Sequence, residues 1–309
     1  MSVVTPSYNQ AQFLEETLRS VLAQDYPSLE YIVVDGGSTD GSVDVIRRHA
    51  DRLAWWTSGP DEGQASALNQ GFAKARGEYL TWLSSDDTYL PGAISRLVEE
   101  LERNPESVLV YGDAFTTDES SRRLELLTMP PPDFAAMVRR CECFVVQPAS
   151  LFRRRVWELA GPFTERYWLF DLEFFLKASA HGTARQVREP LATYRLHTAS
   201  KSIGADLRKA RSYVAFGDEV LAPDALPERL RDAARQGRST AYLRAGDYFY
   251  WGFELGEARR YLIKGLALYP RNASRRWLSL AAKSLLPRRA VMRFRARRHA
   301  RRESSALAR

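Results

Sequence analysis

Hydrophobic and polar positions follow two alternating periods through the first third of the chain. Short runs rich in β-forming residues predict β-strands at Ser2–Tyr8, Tyr31–Asp35, Ala54–Thr57, Glu78–Leu83 and Val108–Tyr111. Of these, Tyr31–Asp35 is almost continuously apolar, as a strand buried on both faces should be. Between these runs, apolar residues recur at helical spacing over Phe13–Leu22, over Gln64–Ala75, and over Ile94–Leu101 with Pro91 in the first turn. Strands that alternate with helices in this way are typical of a mostly parallel sheet flanked by helices, with right-handed crossovers.

The alternation becomes irregular after Asp113. Further along, the pattern predicts strands near 149–152 and 191–196 and a helix over 171–181. From about Asp206 the chain is helical and rich in arginine, and residues 246–270 resemble one tetratricopeptide-style hairpin. A repeat array needs about three such units, so this part is interpreted as a helical appendage. The fold-class prediction is therefore α/β with a helical C-terminal region.

Composition narrows the class of protein. The chain has 309 residues, of which 45% are hydrophobic and 27% charged, which is typical of a globular protein of about two domains. Its two cysteines, Cys141 and Cys143, are too few for a disulfide framework or a zinc site and indicate buried thiols. No run reaches the ~18 apolar residues of a membrane span, and no secretion signal opens the sequence. These features predict a soluble, cytoplasmic protein.

The net charge of +7 is concentrated in the C-terminal tail. Residues 283–309 carry ten Lys and Arg against Glu303 alone, a net charge of +9, which leaves −2 for residues 1–282. Few aromatic residues lie among these arginines and no RNA-binding motif is present, so nucleic acid is not expected as a partner. Because leucines are interleaved with the basic residues, the tail either stays solvated or lies peripherally on the anionic inner face of the membrane.

Small polar and acidic residues follow every predicted strand of the first third. They occupy residues 5–9, 35–41, 58–64, 84–87 and 112–113. Turns and helix caps explain any one of these loops, but their recurrence favours a binding site, since ligands of open parallel sheets bind at the carboxyl ends of the strands. Ser42 stands where a P-loop needs lysine, and the first strand lacks the glycines of a dinucleotide fingerprint. P-loop nucleotidases and NAD enzymes are therefore disfavoured.

Asp86 and Asp87 are the sharpest chemical signal. Two adjacent carboxylates after an apolar strand repel each other unless a cation lies near them. Hard oxygen ligands suit Mg²⁺ or Mn²⁺, with substrate phosphates completing the coordination shell. A helix N-cap ahead of Leu90 explains the same pair equally well, so both interpretations remain open.

With these residues placed, the chain resembles a family-2 glycosyltransferase of the GT-A fold over about residues 2–202. The resemblance rests on five segments in the family's order: VVTPSYN at 3–9, VDGGSTDG at 34–41, GEYLTWLSSDD at 77–87, FDLE at 170–173 and YRLH at 194–197. One position departs from the family pattern. Ser84 replaces the first acid of the family's D-x-D triplet, which implies different ribose or metal contacts there.

The resemblance implies a role for each matching residue. Those implied to bind the nucleotide-sugar donor are Thr5, Pro6, Tyr8, Asn9, Asp35, Asp61, Asn69, Ser85 and Asp87, with Asp35 accepting a hydrogen bond from the base. Asp86 and His197 would hold the metal, and Asp171 would be the catalytic base. A structural histidine and a simple helix cap are the alternatives for His197 and Asp171. An apolar setting raises the pKa of an acid, which suits a base.

These roles imply an inverting, hexosyltransferase-like enzyme that uses Mn²⁺ or Mg²⁺ and a nucleotide-diphospho-sugar, with UDP the commonest nucleotide of the family. The acceptor would be a glycan or a lipid-linked sugar in polysaccharide or glycolipid synthesis. The predicted domains are a GT-A domain over 1–204, a helical region over 205–282 and a basic tail over 283–309. The alternative is a catalytically silent GT-A module that binds glycan or a partner enzyme.

Overall fold

A computed structural model of the chain describes residues 1–198, 207–286 and 289 and divides into two compact units. The first unit comprises residues 1–137, 142–166 and 170–203, and the second comprises residues 138–141, 167–169 and 204–309. Most of the predicted basic tail lies outside the described residues, which include only 283–286 and 289 of it.

A single mixed sheet organises the first unit. Within the described residues its nine strands are β1 Ser2–Ser7, β2 Glu30–Asp35, β3 Trp55–Ser58, β4 Tyr79–Trp82, β5 Thr88–Tyr89, β6 Ser107–Thr117, β7 Arg123–Leu127, β8 Ser150–Arg153 and β9 Thr183–Arg195. The strand order is β3-β2-β1-β4-β8-β6-β9-β5, and β7 pairs with β6. This arrangement confirms the α/β prediction.

The two halves of the sheet differ in strand direction. β3, β2, β1 and β4 are mutually parallel, as the sequence pattern predicts. β8 runs antiparallel to both β4 and β6, whereas β6 and β9 are parallel. The predicted parallel sheet is therefore one side of a larger mixed sheet.

Helices connect and flank these strands. The first seven along the chain are α1 Ala11–Leu22, α2 Ser42–Arg48, α3 Gln64–Lys74, α4 Ala93–Arg103, α5 Phe134–Arg140, α6 Arg154–Ala160 and α7 Phe170–Ala178. α3 packs closely on β1 because Gly71 has no side chain, and a Cβ there would collide with Val4. α4 begins two residues after Pro91, since Gly92 takes a left-handed conformation with φ +76° and sets the start of the helix.

An aromatic cluster fixes α7 against the end of β4. The ring of Trp82 lies with its centroid 6.5 Å from that of Phe170 and 6.2 Å from that of Phe175. Phe163, in the loop before α7, meets the same indole at 5.2 Å. Buried aromatic contacts of this kind give large apolar burial and a defined geometry. They bring the first turn of α7 next to the strand that leads into Asp86.

The second unit is helical. Its helices after residue 204 are α8 Leu207–Ala215, α9 Arg231–Trp251, α10 Leu255–Leu268 and α11 Arg275–Ser284. α9 and α10 form a close hairpin, because Gly246 faces Leu262 and Gly265 faces Leu243. The predicted hairpin is present, although α9 starts fifteen residues earlier than Gly246. No helix among the described residues is long and apolar enough to cross a membrane.

Candidate active site

Four parallel strands end together at one edge of the sheet. Ser7, Asp35 and Ser58 are the last residues of β1, β2 and β3, and they are register partners. β4 pairs with β1 on the other side and leads directly into Asp86 and Asp87. The loops that hold most of the predicted donor-binding residues therefore lie side by side.

Asp35 is buried and organises the loop after β2. Its Oδ2 accepts hydrogen bonds from Gly37 N at 3.1 Å, Ser38 N at 2.9 Å and Ser58 Oγ at 2.7 Å. Its Oδ1 accepts from Ser38 Oγ at 2.5 Å, which leaves acceptor capacity on that oxygen for a further donor. Ser7 Oγ, on the neighbouring strand, is buried and has no hydrogen-bond partner among the described residues.

The loop after β1 contains one freely exposed aromatic ring. Tyr8 is 63% exposed and follows two buried residues, Thr5 and Pro6, at the strand end. The Thr5 hydroxyl is hydrogen-bonded to Tyr31 Oη at 3.0 Å. Asn9 has φ +52°, and its Oδ1 accepts from Thr39 N at 2.9 Å, which ties this loop to the one after β2. Tyr8 is thus held by a fixed backbone and has an open face.

Asp61, in the loop after β3, lies against the loop after β2. Its Oδ1 accepts from Gly63 N at 2.8 Å, and a Cβ at Gly36 would lie 3.1 Å from its Oδ2. Asn69 makes reciprocal bonds with the main chain of Phe163, to its oxygen at 2.8 Å and from its nitrogen at 2.9 Å. The structure therefore places Asp61 against Gly36, the residue after Asp35, whereas the hydrogen bonds of Asn69 hold the loop before α7.

Glu165 contacts the start of α3, beside the loop that contains Asp61, and the sequence analysis did not predict this contact. Its carboxylate accepts from Ala65 N and from Ser66 N, the latter at 3.2 Å, at the first turn of α3. A carboxylate is favoured at a helix N-terminus, where main-chain N–H groups are unpaired. Nothing in the local sequence marks Glu165, because its partners lie a hundred residues away.

Asp86 and His197 meet directly. The Nε2 atom of His197 lies 2.9 Å from Oδ2 of Asp86, and the imidazole is buried. The Nδ1 atom of His197 is also buried and has no hydrogen-bond partner among the described residues. Two residues separated by more than a hundred positions thus form the pair that the resemblance implied.

Asp87 points into the protein rather than out of it. Its Oδ1 accepts from Arg195 N at 2.9 Å, and the side chain is almost fully buried. Burial raises the pKa of Asp87 well above its usual range, and the nearby Asp86 carboxylate raises it further. Ser85 is buried as well, and Thr17 Oγ1 donates to the main-chain oxygens of both Ser85 and Asp87. The loop after β4 is therefore fixed by hydrogen bonds from α1 and from the end of β9.

Asp171 is the second residue of α7 and lies in its first turn. Its Oδ1 accepts from Leu172 N at 2.8 Å, and the aromatic contacts of Phe170 hold this turn at the end of β4. Burial raises the pKa of the nearby Cys143 thiol, and the negative charge of Asp171 adds to that effect. Glu173, two residues on, pairs instead with Lys177 at 2.8 Å. The two acids of this helix thus have different surroundings.

The Asp86–His197 pair is the part of the site that suits a metal ion. A carboxylate oxygen and an imidazole nitrogen lie together, and Mn²⁺ accepts both kinds of ligand. Within the described residues, no group of three or more His, Cys, Asp or Glu side chains is arranged to hold a metal. These side chains alone therefore offer an incomplete shell, which is the usual situation for an ion that also binds phosphate oxygens.

The amino-acid sequence is similar to those of known glycosyltransferases. The model of the family described as Glycosyl transferase family 2 matches residues 2–159, about half of the chain. A Nostoc protein described as an uncharacterized glycosyltransferase is 29% identical over 223 residues, 66% of this chain and 67% of its own. A Rickettsia conorii protein with the same description is 30% identical over 198 residues, 59% of this chain. The match spans 32% of the R. conorii protein, so the matched residues correspond to about a third of that relative.

Two solved structures with a similar fold are complexes with nucleotide sugars. Residues 1–349 of S. aureus TarS in complex with UDP-GlcNAc match 96% of this chain and 87% of that one, with a TM-score of 0.66 and 17% identity. The mannosyltransferase PcManGT from Pyrobaculum calidifontis, in complex with GDP-Man and Mn²⁺, matches 91% of this chain and 78% of that one. Its TM-score is 0.58 and its identity 22%. These likenesses establish the GT-A fold.

The sequence match and the fold agree. The family model covers the segments that contain Asp35 and the Asp86–Asp87 pair, and the structural match covers 96% of the chain. The chain belongs to glycosyl transferase family 2.

Proposed function

We propose that the chain transfers a sugar from a nucleoside-diphosphate sugar to an acceptor hydroxyl with inversion at the anomeric carbon. The observation that carries this proposal is the Asp86–His197 contact of 2.9 Å, beside the Asp35 loop at the edge of a GT-A sheet. The UDP-GlcNAc complex of TarS and the GDP-Man and Mn²⁺ complex of PcManGT support the same class of donor.

The nucleoside would bind across the loops after β1 and β2. The exposed ring of Tyr8 offers a surface for the base, and Oδ1 of Asp35 has capacity to accept an N–H of the base. Thr5, Pro6 and Asn9 would shape this pocket, and Asp61 would border it at the loop after β3. Asn69, on α3, would border it through the loop before α7, which its hydrogen bonds hold. Ser85 and Asp87, which are buried in the loop after β4, would support the part of the pocket that binds the ribose. We propose UDP as the nucleotide, because it is the commonest in the family.

Asp86 and His197 would hold a divalent ion, Mn²⁺ or Mg²⁺, against the donor diphosphate. When bound, the ion neutralises the charge that develops on the leaving diphosphate. The protein contributes the position of the two side chains, since His197 is buried and Asp86 contacts it directly. Such preorganised charges stabilise a transition state more than mobile water does.

Asp171 would act as the general base. Its carboxylate takes the proton of the acceptor hydroxyl, and the acceptor oxygen forms a bond to the anomeric carbon. The bond from that carbon to the phosphate oxygen breaks at the opposite face, so the nucleoside diphosphate leaves with the electron pair. A single displacement of this kind inverts the configuration. The position of Asp171 at the first turn of α7 supports this role.

Nucleotide binding provides the first test. Calorimetry should detect binding of UDP or GDP to the purified chain, with higher affinity in Mn²⁺ than in EDTA, because the ion links the diphosphate to Asp86. A chain that binds neither nucleotide in either condition would contradict the proposed donor class. Adenosine diphosphate is the matched control for general phosphate affinity.

A silent GT-A module remains a second candidate because Ser84 replaces the first acid of the D-x-D triplet. Its main-chain oxygen accepts from Asp87 N at 3.1 Å, so the turn of the loop forms without that acid. Such a module would bind donor or glycan without transfer. Binding of UDP together with no sugar release from any donor would favour this candidate.

We further propose that the chain works on a glycan or lipid-linked acceptor at the cytoplasmic face of a membrane, as a hexosyltransferase of polysaccharide or glycolipid synthesis. Leu278 on α11 and Leu285 and Leu286 at the start of the basic tail are exposed. Apolar residues next to a net charge of +9 suit an anionic bilayer.

Flotation with liposomes tests this placement. The full chain should float with vesicles containing phosphatidylglycerol and remain in solution with neutral vesicles. A chain ending at Leu286 keeps α11 whole but loses most of the charge, and it should float less. Equal recovery of the two proteins, or equal recovery with neutral vesicles, would contradict the membrane proposal.

A further inference from the structure

Arg195 is a buried charge that the proposed mechanism does not use. It is the last residue of β9, and its side chain is 1% exposed. Guanidinium groups stay charged at every physiological pH. Burying such a charge is costly unless each N–H has an acceptor and the charge has a counter-ion. The acceptors and the counter-ion around Arg195 therefore indicate which parts of the structure it positions.

The guanidinium joins three segments that are far apart in the sequence. Nε donates to the main-chain oxygen of Asp86 at 2.8 Å. Nη1 donates to Asp118 O at 3.2 Å and to Ser121 Oγ at 2.9 Å, both in the turn between β6 and β7. Nη2 pairs with the Glu16 carboxylate of α1 at 2.6 Å. One planar group thus fixes the loop after β4 relative to a helix and a hairpin.

A second set of contacts connects Arg195 with the histidine two residues later. The ring of Phe13 lies with its centroid 4.7 Å from the guanidinium carbon of Arg195 and 4.8 Å from the ring centroid of His197. His197 in turn contacts the Asp86 carboxylate, whose main chain Arg195 holds. Both members of the pair are therefore oriented by the same arginine, one through its main chain and one through Phe13.

We propose that Arg195 is a positioning residue that sets the geometry of the Asp86–His197 pair for metal and diphosphate binding. The proposal rests on the proposed function, because the role of that pair in donor binding is itself proposed. The side chain of Arg195 is 1% exposed, so it acts through Asp86 and His197 rather than on the donor itself. Lysine would keep the charge but lose the planar fork that reaches separate acceptors.

The test compares Arg195→Lys with Arg153→Lys. Arg153, at the end of β8, is also a mostly buried arginine that binds main-chain oxygens, with Nε on Ser107 O at 2.9 Å and Nη2 on Leu101 O at 2.6 Å. Both substitutions should lower the melting temperature. Only Arg195→Lys should weaken UDP binding in Mn²⁺, by about 10–100-fold, as outer-shell substitutions at metal sites do.

A readout that needs no nucleotide separates this proposal from the proposed function. The chain has four histidines, so the side-chain ¹⁵N resonances of His197 can be assigned by NMR with a His197→Gln reference. Arg195→Lys should shift these resonances, and Arg153→Lys should leave them in place. If the unchanged protein binds no nucleotide, the proposed function fails. The change in the His197 resonances still tests the positioning role of Arg195 in that case.

A folded Arg195→Lys protein with unchanged His197 resonances and unchanged UDP affinity in Mn²⁺ would overturn the proposal. If Arg195→Lys does not fold, Glu16→Gln provides the second variant. It removes the counter-charge from a half-exposed position and should shift the same resonances in the same direction. No shift in Glu16→Gln would likewise overturn the role of the network.

Discussion

Replacing Asp171 by Asn should lower the rate of sugar transfer by about 10²–10⁴-fold, the usual cost of removing a general base. The amide preserves the size of the side chain and its bond to Leu172 N, but it cannot take a proton. UDP affinity should stay near that of the unchanged protein, because Asp35, Asp86 and His197 carry the proposed donor contacts. Single-turnover transfer and calorimetry measure the two effects separately.

Glu173→Gln is the matched control for this experiment. It removes an acid from the same helix, but that acid pairs with Lys177 and lies two positions away, on a different face. Transfer should remain within a few-fold of the unchanged rate. Near-normal transfer by Asp171→Asn would remove Asp171 from the mechanism, and loss of UDP binding in that variant would assign it to the donor site instead.

Replacing Asp86 by Ala should abolish the dependence of donor turnover on Mn²⁺ and lower the rate by about 10³-fold. A bound ion contributes several kcal/mol of charge stabilisation, and each 1.36 kcal/mol changes a rate tenfold. The substitution also removes the partner of His197 Nε2. Nucleotide release, measured at a series of Mn²⁺ concentrations and in EDTA, checks the expectation.

Asp40→Asn controls for the loss of a carboxylate near the site. Asp40 accepts from Ser42 N and Ser42 Oγ at the start of α2 and from Ala11 N at the start of α1. Its substitution should cost about 1 kcal/mol of stability, as the loss of a cap does, and leave the Mn²⁺ dependence intact. Full Mn²⁺-dependent activity in Asp86→Ala would reject the metal assignment.

The inner strands of the parallel half of the sheet, β1, β2 and β4, could be predicted because they are buried on both faces. β2 is apolar from Tyr31 to Val34 and every one of those residues is buried, so its sequence has an unambiguous pattern. β7 could not be predicted, since four of its five residues are exposed and no face of it is buried. The first half of β9 has one buried residue, Val187, among exposed and partly exposed ones, and its pairing with β6 gives no local signal.

The candidate site was predictable where short motifs end strands. Asp35, Asp86 and His197 were predicted from such motifs through the family resemblance, and the structure brings the last two into contact. Arg195 lies in the same motif as His197 yet could not be assigned a role. Its acceptors come from residues 16, 86, 118 and 121, and only the folded chain brings these together. An arginine at the end of an otherwise apolar run was the one available signal.

Release of a nucleoside diphosphate during sugar transfer is the most direct test of the central claim. The purified chain would be incubated with Mn²⁺ and a panel of UDP- and GDP-sugars, with and without extracted lipid-linked glycans, and the freed nucleotide would be measured. We expect release from at least one donor, stimulated by acceptor, abolished by EDTA and strongly reduced in Asp171→Asn. No release above the Asp171→Asn background from any donor, in the presence of acceptor and Mn²⁺, would contradict the proposal that this chain is a glycosyl-transferring enzyme.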